Sequence, residues 1–419
     1  MPSGKMTIAE AFQHVVGSSP NLRLTAYDGS EFGTSDAEAT LEVRSPIALK
    51  YITGAPGDLG LARAFVSGEL VVHGDLHAAL LAMVGESRQD VSAAQKLAIL
   101  RDLGPEILGR PPVPPEEAAP PWRRGLRHSK QRDAAAIAHH YDVSNRFYEL
   151  VLGPSMTYTC AVYPTAEATL EEAQRDKYEL VCRKLALEPG MRLLDVGCGW
   201  GGMAMHAAEH HGVKVLAVTL SKLQAEWGQK SVAERGLGDL VEIRFSDYRD
   251  VGQVGFDAVS SIGLTEHVGR KNLASYFRFL ASRLRPEGRL LNHCITRATT
   301  KERARAGGFI DRYVFPDGEL LGVGRVISAL QDNGFEPRHE ENLREHYAMT
   351  LRDWGKNLTD NWQEALAEVG ERRARVWELY MAASRVGFDL NRIQLHQVLG
   401  VKLGPGGVSG MPLRPDWLS

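Results

Sequence analysis

Residues 193–202 read LLDVGCGWGG, an apolar run that ends in an acid and then passes into closely spaced glycines. Gly197, Gly199 and Gly202 satisfy GxGxxG, so a nicotinamide dinucleotide has to be weighed. Such a site also wants an acidic side chain about 20 residues further on, to hold ribose hydroxyls. Here the following strand-like run ends VTLS, with Thr219 and Ser221 and no carboxylate. The acid, Asp195, comes before the glycines instead. S-adenosylmethionine suits this pattern better, being a cation with a ribose and an amino-acid end and no phosphates. Glycines let backbone pass close beside it, while polar groups at successive strand ends hold sugar and base. A tight strand–helix turn with no ligand is the plainer alternative, disfavoured by so much glycine at the end of a strand.

Other chemically suggestive residues are scattered. Cys160 stands alone, and a small buried hydrophobe is the common fate of such a cysteine. Glu266 and His267 could cap a helix, His293 lies in an apolar strand-like run, and Tyr347 alone is uninformative. The pairs His139-His140 and His210-His211 suggest metal only weakly, since adjacent residues on a helix point in different directions. They read as surface or packing residues. The 4 cysteines (Cys160, Cys182, Cys198 and Cys294) form no CxxC, which argues against a disulfide framework or a structural zinc and fits a reducing cytoplasm.

The elements that must position these residues are legible as a change of rhythm. Strand-like runs at 191–196, 213–219, 241–245, 256–261 and 289–296 are separated by helical stretches, which implies a mostly parallel sheet covered on both faces. The fold class is thus α/β, with a Rossmann-like domain over 134–419. Longer helical patterns follow, such as 320–332 and 369–386. Before it, 22–27 and 39–43 alternate like half-buried strands, and 57–85 shows helix-like spacing interrupted by glycines. Residues 1–109 therefore read as a small α+β domain with a scaffold or lipid-holding role. Between them lies a linker, 110–133, with six prolines from Pro111 to Pro121 and then Arg123, Arg124, Arg127, Lys130 and Arg132 around Trp122 and Leu126. A solvated linker is its plain reading; a foot on an anionic membrane surface is the sharper one.

At 419 residues, 43% apolar and 24% charged, the chain is an ordinary globular sequence long enough for two domains. With 49 basic and 52 acidic side chains, a net of −3, it is no general nucleic-acid coat. No apolar run reaches the roughly 18–20 residues that span a bilayer, and the N-terminus lacks the pattern of a secretion signal.

Several separated motifs, in order, resemble the cyclopropane fatty-acyl-phospholipid synthases and related lipid methyltransferases: HYDVSNRFYELVL, MTYTCAVYP, LLDVGCGWGG, VTLSKLQ, SDYRDV, TEHVG, NHCIT and DRYVFPDGE. The resemblance implies a class I methyltransferase fold and transfer of the methyl of S-adenosylmethionine to the double bond of an unsaturated phospholipid acyl chain. It implies a carbocation sheltered from water and a bound bicarbonate that removes a proton. By the same resemblance Cys160, Glu266, His293, Tyr347 and the backbone of Ile295 would surround the bicarbonate. Tyr158, Thr159, Leu193, Asp195, Gly197, Cys198, Gly199, Trp200 and Gly201 would hold the cofactor. Thr219, Leu220 and Gln224 would follow the second strand, with Asp247 and Tyr248 near the adenine.

Ring-forming relatives have phenylalanine before the glutamate, where this chain has Leu264-Thr265; Thr159 replaces a usual serine. A hydroxyl near the base would alter which proton leaves. Loss from the new methyl closes a cyclopropane, whereas a hydride shift first gives an exocyclic methylene. The expectation is a 10-methylene acyl chain, with ring formation the alternative. A cytoplasmic enzyme at the inner membrane face follows, with a flavin-dependent reductase as a possible partner and a homo-oligomer as a possible state. An NAD-dependent oxidoreductase and a silent lipid-binding scaffold are the remoter rivals.

Overall fold

The computed structural model describes residues 6–17, 21–55, 57–84, 92–119, 132, 144–301 and 307–418. The chain divides into two compact units, one of 1–119, 307–314 and 369–386, the other of 120–306, 315–368 and 387–419. Two segments far beyond the proline-rich stretch therefore group with the N-terminal residues. Residues 111–119 run without helix or strand. The basic cluster at Arg123, Arg124, Arg127 and Lys130, with Trp122, Leu126, His139 and His140, lies outside the described residues.

The first unit is the small α+β domain that its alternating strands suggest. Strands β1 (Leu22–Ala26), β2 (Glu31–Phe32), β3 (Ala39–Val43) and β4 (Leu70–Gly74) form a sheet in the order β2-β1-β3-β4. Its buried face carries Leu22, Leu24, Ala39, Leu41 and Val43. Helices α1 (Ile8–Val16), α2 (Pro46–Gly54), α3 (Asp58–Val66), α4 (Leu76–Val84) and α5 (Ala93–Leu103) accompany it. The glycine-interrupted stretch is thus two helices with β4 between them, entered and left through Gly68 (φ 77) and Gly74 (φ 92), left-handed positions that suit glycine. The fully buried Glu117 carboxylate takes Arg63 at 2.7 Å and the Tyr313 hydroxyl at 3.1 Å, which ties the later segment into this unit.

The second unit is built on a sheet of order β11-β12-β9-β8-β5-β6-β7. Its strands are β5 (Arg192–Val196), β6 (Lys214–Thr219), β7 (Val241–Phe245), β8 (Phe256–Ile262), β9 (Leu284–Arg297), β11 (Glu336–Asn342) and β12 (Ile393–Val401), with the short β10 (Leu321–Gly322) beside β9. Among the described residues β12 runs antiparallel to both its neighbours, β9 and β11, and the other pairings of this sheet are parallel. Neighbouring residues feed opposite faces. Leu193 packs with Val215, Ala258, Leu291 and Leu399, whereas Leu194 packs with Leu216, Val259, Leu290 and Val398. Burial on both faces explains why these strands read as continuous apolar runs.

The helices of this unit are α6 (Asn145–Leu152), α7 (Leu170–Leu185), α8 (Gly202–His211), α9 (Lys222–Glu234), α10 (Thr265–Val268), α11 (Leu273–Arg283), α12 (Val323–Gln331), α13 (Arg344–Asp360) and α14 (Trp362–Val369), and α15 (Glu371–Asp389) ends in it. The sequence pattern suggested only helices after residue 297, and there the structure differs. Strand β11 is an edge strand whose charged residues, EPRHEEN, hide its character, and β12 carries buried His396 and Gln397 within an apolar run.

Candidate active site

Strand β5 is flanked by β6 on one side and β8 on the other, so the chain reverses direction across the sheet at its carboxyl end. That switch point is where open α/β sheets bind ligands. The loop after β5 is fixed by its own backbone, with Gly197 N and Cys198 N donating to the Val218 carbonyl at 2.9 and 3.0 Å. Glycine is sterically required at the start of α8. A Cβ on Gly202 would sit 2.2 Å from the Tyr178 hydroxyl, and one on Gly201 (φ 86) would sit 2.6 Å from Ile243. A cleft of about 910 Å³, including its open mouth, lies above this loop.

Tyr158, Thr159, Asp195, Gly197, Cys198, Gly199 and Trp200 line the cleft, as do Thr219, Leu220, Gln224 and Tyr248. Thr219 donates to Gln224 at 2.8 Å, so the end of β6 and the start of α9 present one connected polar edge. Trp200 donates to Asn145 at 2.9 Å and packs on Tyr148, with ring centroids 4.7 Å apart. Leu193 and Gly201 do not line the cleft; Leu193 belongs to the core beneath it. Asp247 does not line it either. Its carboxylate is taken by the Arg249 guanidinium at 2.8 and 2.6 Å, leaving Ser246 and Tyr248 as the lining residues after β7.

Asp195 is 2% exposed, accepts from the Ser260 hydroxyl at 2.7 Å, and leaves Oδ2 with no hydrogen-bond partner among the described residues. Burial pushes its carboxyl up to about 6, against the pull of Ser260 and of Lys177. A buried carboxylate oxygen with nothing to accept from is a seat for a cationic or hydroxyl-bearing ligand.

Lys177 was not singled out from the sequence, yet it lies on the cleft wall. Its Nζ donates to Thr159 at 3.1 Å and sits 3.8 Å over the Tyr178 ring, and burial brings the amine down to about 7. A signal existed. Gln174, Lys177, Tyr178, Val181, Lys184 and Leu185 share the helical spacing of one buried face of α7, where three polar side chains are out of place in a plain amphipathic helix.

Behind the cleft wall sits a second set of residues. Glu266, on the short α10, accepts from the Ile295 N–H of β9 at 2.6 Å, so it reaches a neighbouring element and does not cap its own helix. That contact also occupies the Ile295 donor. Glu266 Oε2 is buried without a hydrogen-bond partner among the described residues, and burial pushes the carboxyl up to about 7. His293, two residues before Ile295, has Nδ1 3.2 Å from Gln397 Nε2, while its Nε2 is buried without such a partner. Burial and the charges of Lys177 and Lys184 hold the imidazole well below its usual pKa.

Cys160 is fully buried, and its thiol lies 3.1 Å from the Ala161 carbonyl and 3.8 Å from that of Leu343. The same Leu343 carbonyl receives the Tyr347 N–H at 3.1 Å, which brings the start of α13 to the cysteine. Burial raises the thiol pKa strongly, the opposite of what a nucleophile needs. Tyr347 packs on Phe388 at 4.6 Å. Glu266 and Ile295 are thus in direct contact, Cys160 and Tyr347 meet at Leu343, and the charge of Lys177 reaches both Cys160 and His293. None of the five lines the cleft itself.

Thr265, which precedes Glu266, donates its hydroxyl to Asn292 at 2.5 Å and so is engaged within the protein. Of the histidine pair on α8, His211 shares Glu179 with His206, at 3.0 and 3.5 Å. Ligand atoms of Cys182, His206 and His211 lie within 4.8 Å of one another, a grouping the sequence did not suggest.

The strand order, the glycine loop and the polar edge after β6 define a class I S-adenosylmethionine-dependent methyltransferase fold. Two solved structures share it at a TM-score of 0.61: the cyclopropane synthase MmaA2 from Mycobacterium tuberculosis, 32% identical over 65% of this chain and 99% of that one, and mycolic acid cyclopropane synthase CmaA1 complexed with SAH and CTAB, 33% identical over 64% and 98%. The chain belongs to the mycolic acid cyclopropane synthetase family, whose profile matches residues 128–398. It is similar along its whole length to a probable fatty acid methyltransferase of Mycobacterium tuberculosis, at 56% identity over 100% of both chains. A cyclopropane-fatty-acyl-phospholipid synthase of Escherichia coli is 38% identical over 65% of this chain and 69% of that one.

Proposed function

We propose that this enzyme transfers the methyl group of S-adenosylmethionine to the double bond of an unsaturated phospholipid acyl chain, giving a 10-methylene chain. The observation that carries the reading is the pair of buried polar atoms without partners, Glu266 Oε2 and His293 Nε2, directly behind the wall of a methyl-donor cleft. Buried groups of this kind are satisfied by a ligand or by ordered water. The family resemblance supplies a small anion, bicarbonate, and the residues fit one: a carboxyl raised to about 7 holds a proton on half of its copies near neutrality, and a neutral imidazole offers a second polar contact. Bicarbonate would supply the base that removes a proton after methyl transfer, held by Cys160, Glu266, His293 and Tyr347.

The chain's own residues prepare that chemistry. Ile295 N–H fixes one oxygen of Glu266 and leaves the other, buried, without a hydrogen-bond partner among the described residues. Asp195 offers its unpaired oxygen to the positively charged cofactor. Tyr158 stands between Tyr148 and Trp354, with ring centroids 5.9 and 5.2 Å away, and this aromatic wall excludes water from a carbocation that water would quench.

The exocyclic methylene is favoured by the whole-length likeness to a probable fatty acid methyltransferase, the Thr265 hydroxyl being engaged by Asn292; ring closure is the second reading, supported by the likeness to cyclopropane synthases. A methylene product is the substrate class of a flavin-dependent reductase. Among the described residues no helix is long and apolar enough to cross a membrane. The phospholipid substrate itself places the enzyme at a membrane surface, on this reading the inner face. The test is to incubate the protein with unsaturated phospholipid vesicles, methyl-labelled S-adenosylmethionine and bicarbonate, and to analyse the acyl chains by mass spectrometry and proton NMR. Vinylidene protons support the methylene and cyclopropyl protons the ring. Cofactor binding with no label in any acyl chain would overturn the proposal.

A further inference from the structure

The two ring nitrogens of His293 have different surroundings, and a neutral imidazole carries its proton on only one of them. Nδ1 faces Gln397 Nε2 at 3.2 Å, across the β9–β12 register in which the two residues are partners. What Gln397 presents to the ring is decided on its other side. Its Oε1 lies 2.7 Å from Nζ of Lys184, a side chain buried on α7 and paired with Glu341. Burial lowers the Lys184 pKa, the Glu341 carboxylate opposes that, and the paired ammonium can only donate, so the amide oxygen must face Lys184 and the amide NH2 must face His293. An NH2 can only donate in turn, which makes Nδ1 the acceptor and leaves the proton on Nε2. Turning the amide over would set its NH2 against the ammonium. A doubly protonated ring would set Nδ1–H against the NH2, and burial with the nearby lysine charges opposes that state as well.

We propose that Lys184 and Gln397 are positioning residues that lock His293 in its Nε2–H form, so that the imidazole gives the anion beside Glu266 a hydrogen-bond donor and has no lone pair there to act as a base. The lock follows from the contacts alone; its use in holding an anion rests on the function proposed above. It removes His293 from the candidates for proton abstraction and leaves that step to the anion itself. On the function proposed above, Glu266 Oε2 and the Nε2–H of His293, both buried without a hydrogen-bond partner among the described residues, would serve the same anion, the first as a donor when protonated.

The test uses the full chain labelled with ¹⁵N-histidine and two-bond proton–nitrogen correlation spectra without cofactor or anion, the His293 ring being assigned by difference from His293→Gln. The expected spectrum shows one neutral form, with Nε2 protonated and Nδ1 bare. A proton on Nδ1 would overturn the proposal, and this outcome needs no variant at position 397. In Gln397→Leu the ring should become a mixture of forms, and the bicarbonate concentration for half-maximal turnover should rise about tenfold, the effect of weakening one hydrogen bond to an anion, while S-adenosylmethionine affinity is retained. A ring unchanged in Gln397→Leu would also overturn the lock. If the ring responds as expected but turnover ignores bicarbonate in both proteins, the lock stands and the bound-anion reading fails.

Discussion

Glu266→Gln separates the electrostatics of this site from its shape. Glutamine is nearly isosteric with a protonated glutamic acid, accepts the Ile295 N–H equally well, and never ionises. Burial pushes the wild-type carboxyl from 4.5 up to about 7, so the folded protein holds this proton more tightly than the unfolded chain does. The sign follows from linkage. Wild-type stability falls as pH rises from about 4.5, where the unfolded chain first releases the proton, and levels off above about 7, where the folded protein has released it too. At about 1.4 kcal/mol for each tenfold change in proton affinity, the full effect is about 3 kcal/mol. Glu266 is only 8% exposed, so solvent screening takes little from that figure. Chemical unfolding of both proteins at pH 5 and pH 8 checks it. The variant should already be the more stable by about 1 kcal/mol at the lower pH, and by roughly 3 kcal/mol at the higher. Turnover should fall by about 100-fold or more, as for loss of a group that handles a proton, with cofactor affinity kept. A stability difference that is the same at both pH values would refute the reasoning, because it would mean the carboxyl is not buried as an acid.

Three further outcomes are expected. Asp195→Asn should weaken S-adenosylmethionine binding by roughly tenfold or more in calorimetry, and the wild-type affinity should fall as pH drops through about 6, a dependence the variant lacks. Gly202→Ala should displace the Tyr178 hydroxyl from its 2.6 Å contact with Thr157 and cost about 1–3 kcal/mol, seen as a lower melting temperature. Asp317→Ala should cost about 3–5 kcal/mol in the same assay, since it leaves the buried Arg132 guanidinium without the carboxylate it meets at 2.6 Å through two nitrogens.

The parallel strands and the glycine loop were legible because both are local: a strand buried on two faces is a continuous apolar run, and a turn pressed against Tyr178 and Ile243 favours glycine. The residues around Glu266 were legible only through a family resemblance, since nothing in their spacing brings Cys160, on a loop, beside the start of α13. The small domain's β4 was hidden between glycines that looked like helix interruptions. Lys177, Lys184 and Gln397 escaped notice for a different reason. Each is a polar residue on an apolar face, a pattern that is visible in sequence but whose purpose depends on partners at other places in the chain, 18 residues away for Lys177 and Thr159 and more than 100 for Lys184, Gln397 and His293. Asp247 shows the reverse: the family resemblance set it near the adenine, and its carboxylate is held by the neighbouring Arg249.

Strand β12 lies between β9 and β11, although it is made long after both. While the chain is being synthesised, β9 has an open edge and β11 has no place in the sheet until residues 393–401 arrive. The donor cleft draws on none of those residues, whereas the ring of His293 waits for Gln397. A nascent chain halted before residue 393 would accordingly hold every residue that lines the cleft but lack the Gln397 partner of His293.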